Sequence, residues 1–199
     1  MSFNIPLWSR IIRETNEIFI SLGVPLTPCT VGRFSCGEIS VTISESIRDG
    51  DIFIIQSGCS PVDDNLMELL MLISACKTAS ARRITAVIPC FPYARVDKKE
   101  MSRMPITAKL VSNMITVAGC DRVITMDLHS GQIQGFFDIP VDNLSSVRSM
   151  IGYIKRHIEG WQDSIIVSPG SGGAKRWVNH AWSRWIKGDT HSLQSDRCR

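Results

Sequence analysis

Three short apolar runs constrain this chain more than anything else in it. Asp51-Ile-Phe-Ile-Ile-Gln-Ser-Gly58, Ile84-Thr-Ala-Val-Ile-Pro-Cys90 and Val123-Ile-Thr-Met126 are nearly continuous in hydrophobic character. A strand with one face in water alternates apolar and polar residues, whereas a strand covered on both faces has no need to. The intervening segments have helical character. Asn65 to about Ala79 is apolar nearly all round, as in a buried helix, with Asp63 or Asp64 placed to cap it. A second helix is predicted from Pro105, a residue suited to the first helical position, to Gly119, a common stop. Strands of this kind alternating with helices predict an α/β fold, a mostly parallel sheet flanked by helices.

The flanking segments add to this pattern. Apolar residues at near-helical spacing predict a helix over 8–22 ending at Gly23. Ile39-Ser-Val-Thr-Ile43 alternates and predicts a half-buried strand, paired with a neighbour around residue 30. A helix is predicted after Leu144, to about His157, and Ser164-Ile-Ile-Val-Ser168 reads as one more strand. Ligands of such sheets collect beyond the carboxyl ends of the strands. By that rule Gln56-Ser57, Tyr93 to Arg103, Asp127 to Gln132 and Ser168 to Gly173 share one rim.

On this rim, Asp127 and His129 follow the strand Val123–Met126 directly. Two residues apart on extended backbone, they would point to one side. A second acidic pair, Asp138 and Asp142, follows Gly135 and Phe136-Phe137. Carboxylates and a histidine at a strand end suit a hard cation carrying phosphate oxygens. The same residues also fit a polar loop with a helix-capping aspartate.

The preceding loop, Cys90-Phe-Pro-Tyr-Ala-Arg-Val-Asp-Lys-Lys-Glu-Met-Ser-Arg-Met-Pro105, sets Arg95, Lys98, Lys99 and Arg103 close together, with Asp97 and Glu100 between them. Arginine grips phosphate oxygens with a fork and lysine acts as a point charge. Beside the acids, such a loop can hold a polyphosphate, the arrangement phosphoryl transfer requires. A run of this kind is otherwise a solvated charged loop.

Composition narrows the classes. A net charge of +3 is too small to argue for nucleic acid or a membrane surface. No apolar stretch approaches the roughly 18 residues a membrane span needs, and the first residues lack signal-peptide order. The 7 cysteines are scattered with no metal-like spacing, which favours a reducing, cytoplasmic setting.

From Phe34 to Arg176 the chain closely resembles the ribose-phosphate pyrophosphokinases, also called phosphoribosyl pyrophosphate synthetases. The resemblance rests on Gln56-Ser-Gly-Cys, Asp64-Asn-Leu-Met-Glu-Leu-Leu, Val87-Ile-Pro-Cys-Phe-Pro-Tyr-Ala-Arg95, Asp97-Lys-Lys, Met126-Asp-Leu-His129, Gln132-Ile-Gln-Gly-Phe-Phe-Asp-Ile-Pro-Val-Asp-Asn-Leu144 and Gly172-Gly-Ala-Lys-Arg176. It implies a phosphoribosyltransferase-like fold and transfer of the diphosphoryl group of Mg-ATP to ribose 5-phosphate, in homo-oligomers. It further implies that Arg95, Val96, Asp97, Lys98, Lys99 and Glu100 form the ATP loop, and that Phe34 and Glu38 lie on a hairpin reaching a neighbouring subunit's ATP site. Asp127, His129, Asp138 and Asp142 fall at positions assigned to Mg2+ and its surroundings, with His129 also a catalytic candidate. Ser46, Arg48, Ser80, Lys99 and Arg103 match positions of an allosteric phosphate or nucleotide site.

The chain also departs from that family. Cys36 replaces an adenine-contacting asparagine, Val96 replaces a glutamine, and Gly170 replaces an acidic residue of the turn near sugar and metal. Leu7-Trp-Ser-Arg-Ile-Ile-Arg13 replaces the family's first strand and turn, so that strand is expected to be lost or altered. After Arg176 the resemblance stops. Trp177–Arg199 contains neither the lysine-bearing catalytic loop nor the Asp-Asp loop for the ribose 5-phosphate. The organisation expected is a first phosphoribosyltransferase-like domain over 1–145, the opening of a second over 146–176 and a divergent tail over 177–199. Two functions follow. One is a ribose-phosphate diphosphokinase, impaired or inactive as this isolated chain; the other is a non-catalytic partial subunit docking onto a full-length paralogue.

Overall fold

The structure, a computed structural model, describes residues 3–6, 23, 26–99 and 101–163. Among the described residues the chain runs β1 (Phe3–Pro6), β2 (Leu26–Thr27), β3 (Cys29–Arg33), β4 (Ile39–Ile43), β5 (Asp51–Ile55), α1 (Val62–Thr78), β6 (Arg83–Ile88), α2 (Thr107–Ala118), β7 (Arg122–Met126), a 3₁₀ turn (Gly131–Phe136), β8 (Val141–Leu144), α3 (Val147–His157) and a short 3₁₀ turn (Trp161–Asp163). The helix expected over 8–22, the strand Ser164–Ser168, Gly170 and the tail 177–199 lie outside the described residues. The chain divides after Leu144 into two units, Met1–Leu144 and Ser145–Arg199.

In the first unit six strands pair in the order β2-β1-β5-β6-β7-β8, every pair parallel. The expected α/β architecture is therefore the one observed. Register sets Ile54 beside Ala86, Ala86 beside Val123 and Val123 beside Val141, so these residues share one face. They join Leu69, Leu72 and Ile73 of α1 and Val111 and Ile115 of α2 in one buried core. The two helices touch each other, as right-handed crossovers stepping in one direction require. Ile52, Ile54, Ile84, Ala86, Ile88 and Val123 leave no accessible surface on that face, and on the opposite face Ile55 and Thr85 are buried and Phe53, Val87 and Ile124 half-buried, so the runs need no polar alternation.

β3 and β4 form a separate antiparallel hairpin lying against α1, with Arg33 paired to Ile39 at its tip. Its turn closes through the Phe34 N–H donating to the Glu38 carbonyl at 2.8 Å and the Gly37 N–H donating to the Phe34 carbonyl at 2.8 Å.

Four details differ from the sequence reading. α1 begins at Val62, and neither Asp63 nor Asp64 is its cap: Pro61 takes that position without a side-chain hydrogen bond. α2 begins at Thr107, beyond Pro105, because the loop before it docks there. The Ala108 N–H, one of the first-turn donors a helix cannot satisfy itself, donates to the Val96 carbonyl at 3.3 Å. β8 was not foreseen, since Asp142 and Asn143 interrupt any apolar pattern in an edge strand. A first strand is present rather than lost: β1 pairs with β5, Phe3 beside Asp51 and Asn4 beside Ile52.

The described part of the second unit is α3 and the turn after it. Lys155, Arg156 and His157 occupy the last turn of α3, where positive charge meets the helix dipole favourably. The Tyr153 and His157 rings lie 4.5 Å apart, and the Lys155 ammonium sits 5.2 Å over the Trp161 ring.

Two expectations follow from this packing. Gly58, just past β5, donates its N–H to the Cys90 carbonyl at 2.8 Å, and a Cβ there would stand 2.6 Å from that oxygen and 2.6 Å from Pro92. Gly58→Ala should therefore destabilise the protein by about 1–3 kcal/mol, as overpacking does. Gly32→Ala, with nothing within 4 Å of the new methyl, is the control in urea unfolding. Equal midpoints for the two variants would contradict the close approach. Burial pushes the Cys76 thiol up to about 12, while Cys36 and Cys90 are exposed. Iodoacetamide on the native protein should modify Cys36 and Cys90 and spare Cys76, because the thiolate is the reactive form. Peptide mapping that finds Cys76 alkylated before denaturation would contradict the packed core.

Candidate functional site

Because β5, β6 and β7 are parallel neighbours, the segments that follow them emerge on one edge of the sheet. The Gln56 N–H extends the ladder past β5 by donating to the Val87 carbonyl at 3.0 Å. Its buried side-chain amide donates to the Asn65 carbonyl and to the Glu68 carboxylate, both at 3.3 Å. Asn65 in turn donates its amide to the Cys59 carbonyl at 2.7 Å. The β5 end is thus fastened to the first turns of α1, and Gly58 fastens it to the β6 end.

The basic loop after β6 is anchored at its base and exposed beyond it. Tyr93 adopts left-handed backbone, φ +54°, which a non-glycine residue takes up only when its surroundings impose it. Its carbonyl accepts from the Thr107 hydroxyl at 3.1 Å, and its own hydroxyl donates to the Asp63 carboxylate. That contact pushes the phenol above its ordinary pKa. Arg95, Lys98, Lys99 and Arg103 are exposed, while Val96 and Asp97 are half-buried. Glu100 lies outside the described residues. Among the described residues Arg95, Lys99 and Arg103 form no ion pair.

Asp127 and His129 occupy the same edge, after β7, but not in the geometry expected. Asp127 has φ +45°, so the extended backbone that would aim both side chains one way is absent. The chain turns sharply there. The Asp127 N–H donates to the Leu144 carbonyl at 2.9 Å, and the Leu128 N–H donates to the Asn143 side-chain oxygen at 3.2 Å. Leu128 is buried and His129 exposed.

The structure does not bring Asp138 and Asp142 to this edge. Pro140 accepts from the Val123 N–H at 3.0 Å, which sets the start of β8 beside the start of β7. Asp138 lies at that far end. Asp142 is held by Arg122, whose Nε donates to it at 2.8 Å. Among the described residues no three His, Cys, Asp or Glu side chains gather closely enough to hold a metal.

Ser46, Arg48 and Ser80 also sit at the far edge, in the loops that precede β5 and β6. Those loops are joined by the Asp49 N–H donating to the Ser80 carbonyl at 3.0 Å. Lys99 and Arg103 do not accompany them; both belong to the loop after β6.

On the hairpin, Phe34 is 58% exposed and Glu38 is exposed. Two partnerships here were illegible in the sequence. Arg33 ion-pairs with Asp64 at 2.8 Å, a contact that raises the guanidinium pKa, and it also donates to the Gly37 carbonyl at 3.2 Å. Asp63 receives the Tyr93 hydroxyl. Both link segments thirty or so positions apart, and no local pattern records them.

Comparison with known proteins agrees with this architecture. Residues 12–119 match the N-terminal domain of ribose phosphate pyrophosphokinase. A solved structure, phosphoribosylpyrophosphate synthetase from Mycobacterium smegmatis, is similar to this chain with a TM-score of 0.83 and 40% sequence identity. The similarity covers 90% of this chain and 61% of that one, so the chain spans less than two thirds of that relative. No helix among the described residues is long and apolar enough to cross a membrane. With the family domain matching more than half of this chain, and a solved relative sharing 40% identity and the same fold, the chain belongs to the ribose-phosphate pyrophosphokinase family.

Proposed function

We propose that the edge formed by the ends of β5, β6 and β7 holds Mg-ATP, and that the protein serves transfer of its diphosphoryl group to ribose 5-phosphate. One observation carries this reading: a loop with three cations that have no ion-pair partner among the described residues stands on the same sheet edge as Asp127 and His129. Charges left unpaired at the end of a parallel sheet suit an anionic ligand.

In this reading Arg95 forks two phosphate oxygens, and Lys98 and Lys99 add point charges. Asp127, with His129 beside it, would hold the cation. Mg2+ accepts one or two protein ligands and completes its shell with phosphate oxygens and water, so the lack of a third close ligand beside Asp127 and His129 among the described residues fits it. The bound cation supplies neutralisation of the charge on the phosphoryl oxygens. The attacking 1-hydroxyl of the sugar forms a bond to the β-phosphorus as the bond from that phosphorus to the α-phosphate oxygen breaks, releasing AMP. The exposed Phe34 ring and Glu38 serve the nucleotide of a neighbouring copy in a homo-oligomer, where Cys36 leaves out one polar contact to the base.

Calorimetry with Mg-ATP should show binding that weakens with salt, because exposed charge contacts are screened. Arg95→Ala or Asp127→Ala should reduce affinity about tenfold or more, the scale of a lost charge-assisted contact. Equal heats from wild type and both variants would contradict the site.

Turnover is a separate expectation. Holding the sugar hydroxyl in line can contribute roughly 7–11 kcal/mol to lowering the barrier. Trp177–Arg199 does not carry the family's ribose-phosphate loop or its catalytic lysine. Purified 1–199 should therefore bind nucleotide yet release no measurable AMP in response to ribose 5-phosphate. Robust sugar-dependent turnover would overturn this. Activity appearing only on mixing with a full-length relative would instead support the docking-subunit reading.

A further inference from the structure

We propose that the first turn of α1 is a two-armed positioning clasp for the nucleotide edge. Asp63 holds the basic loop through the Tyr93 hydroxyl, and Asp64 holds the β3–β4 hairpin through Arg33. The inference rests on the nucleotide reading above and adds residues that reading does not use.

Acidic residues in a first helical turn ordinarily serve the helix itself, through its unpaired N–H groups and its dipole. Here neither carboxylate caps the helix. Successive residues on a helix point about 100° apart, so Asp63 and Asp64 reach different neighbours. One reaches a loop thirty positions later in the chain, the other a strand thirty-one positions earlier. These two segments carry the candidate nucleotide contacts, Arg95 to Lys99 for the nucleotide of this chain and Phe34 with Glu38 for that of a neighbouring copy.

Magnitudes separate positioning from plain stabilisation. The Arg33 and Asp64 side chains are 42% and 39% exposed, and Tyr93 is exposed too. Exposed ion pairs contribute little to the stability of a fold. Fixing a loop in place is a different matter, because an ordered loop presents its cations to a ligand without first losing its freedom. The left-handed backbone at Tyr93 is the point where the loop turns away from β6, and it is held from both sides: Thr107 of α2 on its carbonyl, Asp63 of α1 on its hydroxyl. The amide of Gly37, at the hairpin tip, is likewise tied back, and Arg33 serves both that turn and Asp64. One rigid helical turn therefore sets the spacing between two otherwise separate loops.

The test is hydrogen exchange together with Mg-ATP affinity on the 199-residue protein. Tyr93→Phe removes the hydroxyl alone, Asp63→Ala removes its acceptor, and Asp63→Asn keeps an acceptor oxygen. Each of the first two should speed exchange over 94–104 and raise the Mg-ATP dissociation constant by about threefold to tenfold, the equivalent of one hydrogen bond. Their combination should do no more than either one, because they share an interaction. Asp63→Asn should restore most of both readouts. Arg33→Gln should loosen 34–38 and leave 94–104 unchanged. Exchange in β5, β6 and β7 and the urea midpoint should hold steady throughout.

Wild-type exchange in Tyr93→Phe and Asp63→Ala would overturn the clasp, as would faster exchange spread through the sheet. Faster loop exchange with unaltered Mg-ATP affinity would also overturn it, since the clasp would then position nothing. A wild-type protein that does not bind Mg-ATP would defeat the nucleotide reading and, with it, the role of the clasp. A protein whose affinity falls in Arg95→Ala alone would keep the nucleotide reading and lose the clasp.

Discussion

The parallel ladder through β5, β6 and β7 is the constraint on which the remaining arrangement depends. Parallel pairing sends every strand's continuation to the same edge and forces each return through a helix on the face. The Gln56 side chain and the Gly58 N–H then fasten the exit of β5 to α1 and to the exit of β6. Gln56 reaches down to Asn65 and Glu68 of α1, and Gly58 lies close enough to Cys90 and Pro92 that a methyl group has no room. The loop bearing Arg95 and Lys99 cannot move independently of β5, since its root is in backbone contact with the residue after that strand.

The two edges of the sheet are charged in different ways. At the edge where the strands begin, Arg82, Arg122 and Lys77 are paired, although Arg48 forms no ion pair among the described residues. Arg82 donates to Asp51 at 3.1 and 2.6 Å, which holds that carboxyl below the usual range, and Arg122 is bound to Asp142. Lys77 lies 3.9 Å from Asp121. At the edge where the strands end, Arg95, Lys99 and Arg103 stand exposed with no such partner among the described residues. Paired charges hold loops together; the unpaired ones on the anchored loop are those assigned to phosphate in the proposed site.

Legibility in the sequence followed the range of the interaction. The buried strands were readable because burial on both faces removes the polar alternation, and Gly119 was readable because a left-handed stop, φ +108°, favours glycine. The edge strand β8 was not, since a strand with one neighbour needs no apolar run. Starts of helices were misplaced where something outside the helix defines them. Thr107 begins α2 because Tyr93 and Val96 of the loop dock on its first turn, a contact that Pro105 cannot announce. Asp127 shows the same limit in reverse: it lies at the expected edge, but its backbone bends to meet Leu144 and Asn143 of a strand the pattern did not show. Residue types were sufficient for the chemistry and the edge, and insufficient for the direction of the side chains.

That bend bears on how a cation would be held. Had Asp127, His129, Asp138 and Asp142 converged, the protein alone would supply four ligands, and a metal could reside there without nucleotide. Instead β8 begins beside the start of β7, which leaves Asp138 at the far end and Asp142 within β8 beside Ile124, where Arg122 neutralises it. Two ligands are too few to bind Mg2+ tightly from water, which it gives up reluctantly. The remaining positions must be filled by phosphate oxygens, so cation and polyphosphate would bind as one unit, each raising the affinity for the other. In the proposed site the basic loop and the acidic turn would be two halves of one cooperative whole, carried on the ends of the paired neighbours β6 and β7.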